Sequence, residues 1–240
     1  MISHARTLEV DFCTDLHIYT GAHCARQLFL SNMVQKSPTE RRPRGRPRVY
    51  DPEQALQQAL EVFWKAGYAA TSLDDLAAAT GMNRPSLYAG FGDKRSIYMK
   101  ALALYYESAA IGVRAALSAD QPLADALMQV YGQALTLYFS GKGKPRGCFT
   151  LATAVTESGD DPLVREFVGN GFRRLDEALK RRIKAARDQG ELPPDADPET
   201  LAGLASAVHA TLGVRARAGI ARAELEEFVR KSVESICRNP

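Results

Sequence analysis

The sequence predicts an all-α protein, with a small three-helix unit near the N-terminus and a longer helical unit after it. Three Asp-Pro pairs (Asp51-Pro52, Asp161-Pro162 and Asp197-Pro198) each mark a helix start. Asp caps free N–H groups there, and Pro at the first helical position gives up a donor that would be orphaned anyway. Apolar residues recur at spacings of three and four, and no stretch alternates as a half-buried strand does. Gly67, Gly81, Gly190 and Gly219 stand where those helices should stop. The chain has 240 residues, 45% hydrophobic and 25% charged, enough for a sizeable core.

Residues 1–35 show no period and predict a disordered extension, with Met33 a natural alternative start. Cys13, His17, His23 and Cys24 lie there, but their spacing fits no zinc module, and no metal site is expected. The four cysteines form no C-x-x-C pair, which argues against a disulfide framework and for a reducing cytoplasm. No apolar run reaches the length of a membrane span, and the acidic, interrupted N-terminus is not a secretory signal.

Residues 36–50 (KSPTERRPRGRPRVY) predict an extended arm. Six basic residues between Lys36 and Arg48 face one acid, Glu40, although the whole chain carries only +3. Positive charge concentrated in one short arm points to a polyanion partner. Arg44-Gly45-Arg46-Pro47 looks like an AT-hook core, thin enough for a narrow A·T minor groove. A basic tail making delocalised phosphate contacts is the alternative, and both stay open.

The first helix is predicted from Asp51 to about Ala66, with Leu56, Ala59, Leu60 and Phe63 as its apolar stripe. A short second helix follows Thr71, with Ser72 and Asp75 as a variant capping box and Leu73, Leu76 and Ala77 inward. Gly81 permits the left-handed turn into a third helix, Asn83 to Phe91, where Leu87 and Phe91 share a core face. This is the helix, glycine turn and helix of a helix-turn-helix, at about residues 72–91. The second helix of such a pair enters the DNA major groove, and Asn83, Arg84, Ser86 and Tyr88 supply polar groups there.

The block from Ala55 to Leu104 resembles the TetR family of bacterial regulators. The resemblance rests on the Gly-Tyr, the Thr-Ser pair three residues later, the turn Gly, Leu-Tyr-x-x-Phe, and a Lys three residues on; N-R-P-S-L-Y-A-x-F-G-D-K looks like one subgroup. It implies that Thr71, Tyr88 and Lys94 contact phosphates, while Asn83, Arg84, Ser86 and Leu87 face the bases. Ala89 and Gly90 stand where many members carry His, so contacts made by that His are not carried over. It further implies a DNA-binding domain over 51–104 and a helical regulatory and dimerisation domain over 105–240. A ligand-responsive homodimeric repressor on a palindromic operator would follow. An AT-hook-assisted architectural DNA binder without an effector is the alternative.

The later helices are predicted from about Asp93 to Leu117, from Pro122 through Tyr138, from Cys148 to about Glu157, from Pro162 to about Gln189, from Pro198 to about Ala218, and from Arg222 to Ile236. The resemblance implies that two late helices pair with their copies in a second subunit. The 162–189 and 198–218 helices offer the long apolar stripes for that. Tyr131, Tyr138, Cys148, Phe149 and His209 are candidates to line a cavity for an unidentified small-molecule effector, with plain core packing as their other reading. Residues 141–147 are Gly- and Lys-rich but lack the spacing of a phosphate loop. No paired carboxylates, nucleophile elbow or nucleotide loop appears, so neither catalysis nor a cofactor is expected.

Overall fold

Each Asp-Pro pair opens a helix as its chemistry requires. The computed structural model describes residues 51–118, 120–141 and 143–238; the expectations for the N-terminal extension and for the arm with Arg44 and Arg46 lie outside them. Asp51 accepts from the Glu53 N–H (2.9 Å) and starts α1, Pro52–Ala66. Asp161 and Asp197 likewise cap α7, Pro162–Asp188, and α8, Pro198–Arg217. Between and after them lie α2 (Leu73–Thr80), α3 (Arg84–Phe91), α4 (Lys94–Ser118), α5 (Leu123–Tyr138), α6 (Val155–Glu157) and α9 (Arg222–Cys237). No strand occurs among the described residues.

The head of the molecule is built from two eight-residue helices, too short to persist alone. Capping compensates. Ser72 and Asp75 form the reciprocal box, with the Asp75 N–H on Ser72 Oγ (3.1 Å) and the Ser72 N–H on Asp75 Oδ2 (2.8 Å). Gly81 adopts φ +65° between the helices, where a Cβ would be strained. Asn83 then caps α3 through the Ser86 N–H (2.9 Å). Leu76, Leu87, Phe91, Phe63, Ile97 and Tyr98 close the core beneath them.

The buried stripe of α1 is Ala55, Ala59, Leu60, Phe63 and Trp64, whereas Leu56 is only half-buried. Trp64 takes the inner place because α4 and the segment after residue 147 supply aromatic partners. Its ring meets Tyr105 edge-on at 5.1 Å and Phe149 at 5.6 Å.

The stretch expected as one helix from Cys148 to Glu157 is a π-helical turn, Thr150–Ala154, running into α6. Tyr98 of α4 donates its hydroxyl to Thr153 Oγ1 at 2.8 Å there. Arg95, in the first turn of α4, pairs with Asp161, the same carboxylate that caps α7. The Arg95 guanidinium holds the Asp161 carboxyl down to about 2. The division expected at residues 104/105 therefore falls inside α4, and the described residues pack as one unit.

The stripe of α7 (Val164, Val168, Leu179, Ile183) is buried within the subunit, where α7 packs along α8. Phe167, Phe172 and Leu175 of the same stripe are only half-buried, and Leu163 is exposed. Exposed apolar side chains also stand on α8, at Leu204 and Val214, and Leu204 borders an open groove shared with Phe228 and Ile236 of α9.

At Gly213 of α8, a Cβ would stand 2.5 Å from the Cys148 Cβ and 3.0 Å from its backbone nitrogen. Gly213→Ala should destabilise the fold by about 1–3 kcal/mol through overpacking. A thermal melt followed by circular dichroism checks this: Tm should fall by several degrees, at roughly 2–4 °C per kcal/mol.

Candidate nucleic-acid interface

The exposed face of the head is α3 with its flanks. Asn83, Arg84, Tyr88 and Ala89 are exposed along it, and Ser86 is half-buried. Tyr88 is 53% exposed, while its neighbour Leu87 is buried. A large aromatic so open to water at the middle of a short helix does nothing for the core.

Two of the expected contacts are corrected by the packing. Leu87 is 1% exposed and sits in the core, so its side chain does not reach bases. The core assignment made from its spacing with Phe91 holds, and the base-facing one does not. Thr71 is buried too, its hydroxyl donating to the Gly67 carbonyl at 2.7 Å. It locks the turn between α1 and α2 instead of presenting a hydroxyl to a phosphate.

The other residues are placed with their polar atoms partly committed. Asn83 spends its carbonyl oxygen on the α3 cap, which leaves its amide nitrogen as the atom to meet DNA. Lys94 begins α4 with its ammonium 4.4 Å from the centre of the Tyr68 ring, a cation–π contact that orders it without burying it. Arg84 is exposed, yet its guanidinium is paired with Asp74 of α2, Nε to Oδ1 at 2.7 Å and Nη2 to Oδ2. The hydrogen bond from Arg84 holds the Asp74 carboxyl below the usual carboxylate range. No local sequence signal marks Asp74, because it lies ten residues and a turn before Arg84 and only the helix crossing brings them together.

The five candidates for an effector cavity fall into two packed clusters. Tyr138, Cys148 and Phe149 gather around Tyr105, whose hydroxyl lies 3.4 Å from Cys148 Sγ. Tyr131 and His209 pair elsewhere, ring centres 6.4 Å apart, with the Tyr131 hydroxyl on the Ala205 carbonyl at 3.0 Å. Tyr131, Tyr138 and Phe149 are each no more than 2% exposed. None of the five lines either of two open surface grooves, one along α5 at Gln129 to Ser140 and the other between α8 and α9. Their aromatic rings fill space instead of enclosing it. Among the described residues no three His, Cys, Asp or Glu side chains stand together as metal ligands, and no helix is long and apolar enough to cross a membrane.

A family model described as bacterial regulatory proteins, tetR family, matches residues 55–100. A second, described as a tetracyclin repressor-like C-terminal domain, matches residues 125–232. The chain is 31% identical over 189 residues to the HTH-type transcriptional repressor ComR of Escherichia coli, covering 79% of this chain and 89% of ComR. It is 35% identical over 85 residues to the HTH-type transcriptional activator FasR of Mycolicibacterium smegmatis, 35% of this chain and 39% of that protein. Among solved structures, a cysteine-substituted form of the regulator CifR, complexed with 26-bp double-strand operator DNA, superposes with a TM-score of 0.73. The two are 29% identical over 80% of this chain and 99% of that one.

His209 carries a solution test of the α8 packing. Part of its imidazole meets the surface, yet enough is enclosed that burial pushes its pKa down to about 4. The folded state therefore holds the ring neutral, while the unfolded chain protonates it near 6.5. That stability is complete above about pH 6.5 and is lost as the pH falls towards 4. Relative to His209→Gln, the wild type should lose roughly 1–2 kcal/mol between pH 7.5 and 4.5, with some discount for the exposed part of the ring. Urea unfolding at the two pH values reads it; parallel losses in both proteins would show that His209 is not the titrating group.

Proposed function

Because this chain belongs to the TetR family and is a DNA-binding transcriptional regulator, we propose that it is a ligand-responsive, homodimeric repressor that reads a palindromic operator with α3. The observation that carries the reading is Tyr88, 53% exposed on α3 one turn after the exposed Arg84. The basic arm with Arg44 and Arg46 adds minor-groove contacts. Tyr88 and Lys94 hold the backbone of the DNA, and Asn83, Arg84 and Ser86 meet base edges.

The partner in the dimer is a second copy seated on α8 and α9. Leu204 and Val214 are more than half exposed on α8, Leu204 shares a groove with Phe228 and Ile236, and apolar side chains on adjacent long helices are the usual material of a subunit interface. Two copies related by a twofold axis set their α3 helices about one DNA turn apart. Repression is the direction named for ComR, although FasR is named an activator. Binding to chromosomal DNA puts the protein in the cytoplasm. The input is a small molecule. Asp176 Oδ1 on α7, buried without a hydrogen-bond partner, is a polar group that such a ligand would satisfy.

Fluorescence anisotropy on DNA from upstream of its own gene, against a scrambled duplex at physiological salt, tests the reader. Wild type should prefer its own DNA by about a thousandfold, within the range of specific recognition. Tyr88→Ala should weaken that binding at least tenfold while leaving Tm unchanged. Light scattering after size exclusion tests the dimer. Leu204→Glu combined with Val214→Glu should convert a dimer into a monomer at micromolar concentration; a double variant that stays dimeric removes α8 from the interface.

A further inference from the structure

We propose that Asp74 is a positioning residue for recognition: it fixes the Arg84 guanidinium so that Arg84 reads one base pair in each half-site, with guanine the base preferred. The inference rests on α3 being the reading helix.

A guanidinium carries five N–H donors in a rigid plane. Asp74 takes one side of that plane, the Nε–H and one Nη2–H. The remaining parallel pair is the end-on fork of Nη1–H and the second Nη2–H. That fork matches the O6 and N7 acceptors of guanine in the major groove. An unpaired Arg side chain at the head of α3 would sample several rotamers and meet any phosphate in reach. The carboxylate restricts the guanidinium to one plane, and its own charge is cancelled where it would otherwise repel DNA.

The pair has little structural work to account for it. The two side chains are 57% and 69% exposed, and ion pairs that open to water add little to stability. Neither helix depends on it for a cap: α2 is capped by Ser72 and α3 by Asn83. Arg84 also lies one turn before the exposed Tyr88, on the same face of α3. The hydrogen bond to Asp74 raises the Arg84 pKa above its ordinary value.

The test starts from a pool of random 26-bp duplexes, selected with the full chain to define the preferred site. Wild type, Asp74→Ala, Asp74→Glu, Arg84→Ala and the double Asp74→Ala/Arg84→Ala variant are then measured on that site and on its single-base substitutions. Asp74→Ala should lose base preference at one symmetric position, by roughly 5- to 100-fold, the discrimination of one bidentate Arg–guanine pair. Arg84→Ala should lose preference at the same position, and the double variant should be no worse than Arg84→Ala alone. Asp74→Glu should recover part of the preference, and the salt slope should stay that of wild type because no phosphate contact is removed. Equal Tm values for wild type and Asp74→Ala separate this from misfolding.

Tighter binding of Asp74→Ala to every duplex, with base preference intact, would make Asp74 only a repelling charge and overturn the proposal. Additive losses at different positions would overturn it as well. A wild type that selects no sequence from the pool defeats the reading-helix assignment itself, which is a distinct result.

Discussion

Phe149 sits where the reading head and the helical bundle meet. Its ring is surrounded by Trp64 of α1 and by Tyr98 and Tyr105 of α4, all within 6.1 Å centre to centre. Edge-to-face aromatic packing of this kind has specific geometry as well as area, so each ring limits where the others stand. Arg146, three residues earlier in the chain, covers Trp64 at 3.9 Å and pairs with Glu61 of the same helix. One short segment therefore holds α1 from two sides.

That segment is held in turn by α8. The Arg146 carbonyl accepts from Arg217 at 3.1 Å, and Gly147 and Gly213 approach so closely that a Cβ on either would collide with the opposite strand of chain. Gly147 takes φ +66°, open to glycine at little cost. The consequence is mechanical. The loop cannot move against α8 without disturbing the contact with Trp64, since packed interiors do not deform continuously. Asp161 supplies a second tie, because one carboxylate both caps α7 and binds Arg95 at the foot of α4.

Much of this was legible in the sequence for local reasons. Asp-Pro caps, the Ser72–Asp75 box and Gly81 act within a few residues, and each appears where its chemistry required. The exposure of Tyr88 also follows from period alone, since Leu87 and Phe91 claim the inner face of α3. The rest depended on contacts between distant segments. Nothing near Trp64 in sequence marks it as core in place of Leu56, because its partners, Tyr105 and Phe149, lie 41 and 85 positions further on. The stripe of α7 was legible as apolar, but not whether α8 of the same chain or another copy would cover it. Tyr131, Tyr138 and Phe149 were legible as aromatic, and only the packed rings show that they fill space.

The same distinction separates the two corrected contacts from those that stand exposed. Family resemblance transfers a position, not a direction. Leu87 and Thr71 occupy positions beside DNA in such a head, but an isobutyl group gains more in an apolar core than against water, and a hydroxyl under a tight turn is consumed by the turn. Arg84, Tyr88 and Lys94 carry long side chains whose ends reach past the backbone into solvent, with α2 and Tyr68 holding two of them in place. A reading head needs both kinds. The buried set fixes the angle of α3, and the exposed set, with Arg84 ordered by Asp74 of α2 and Lys94 by Tyr68 in the turn before α2, is what that angle presents to the surroundings.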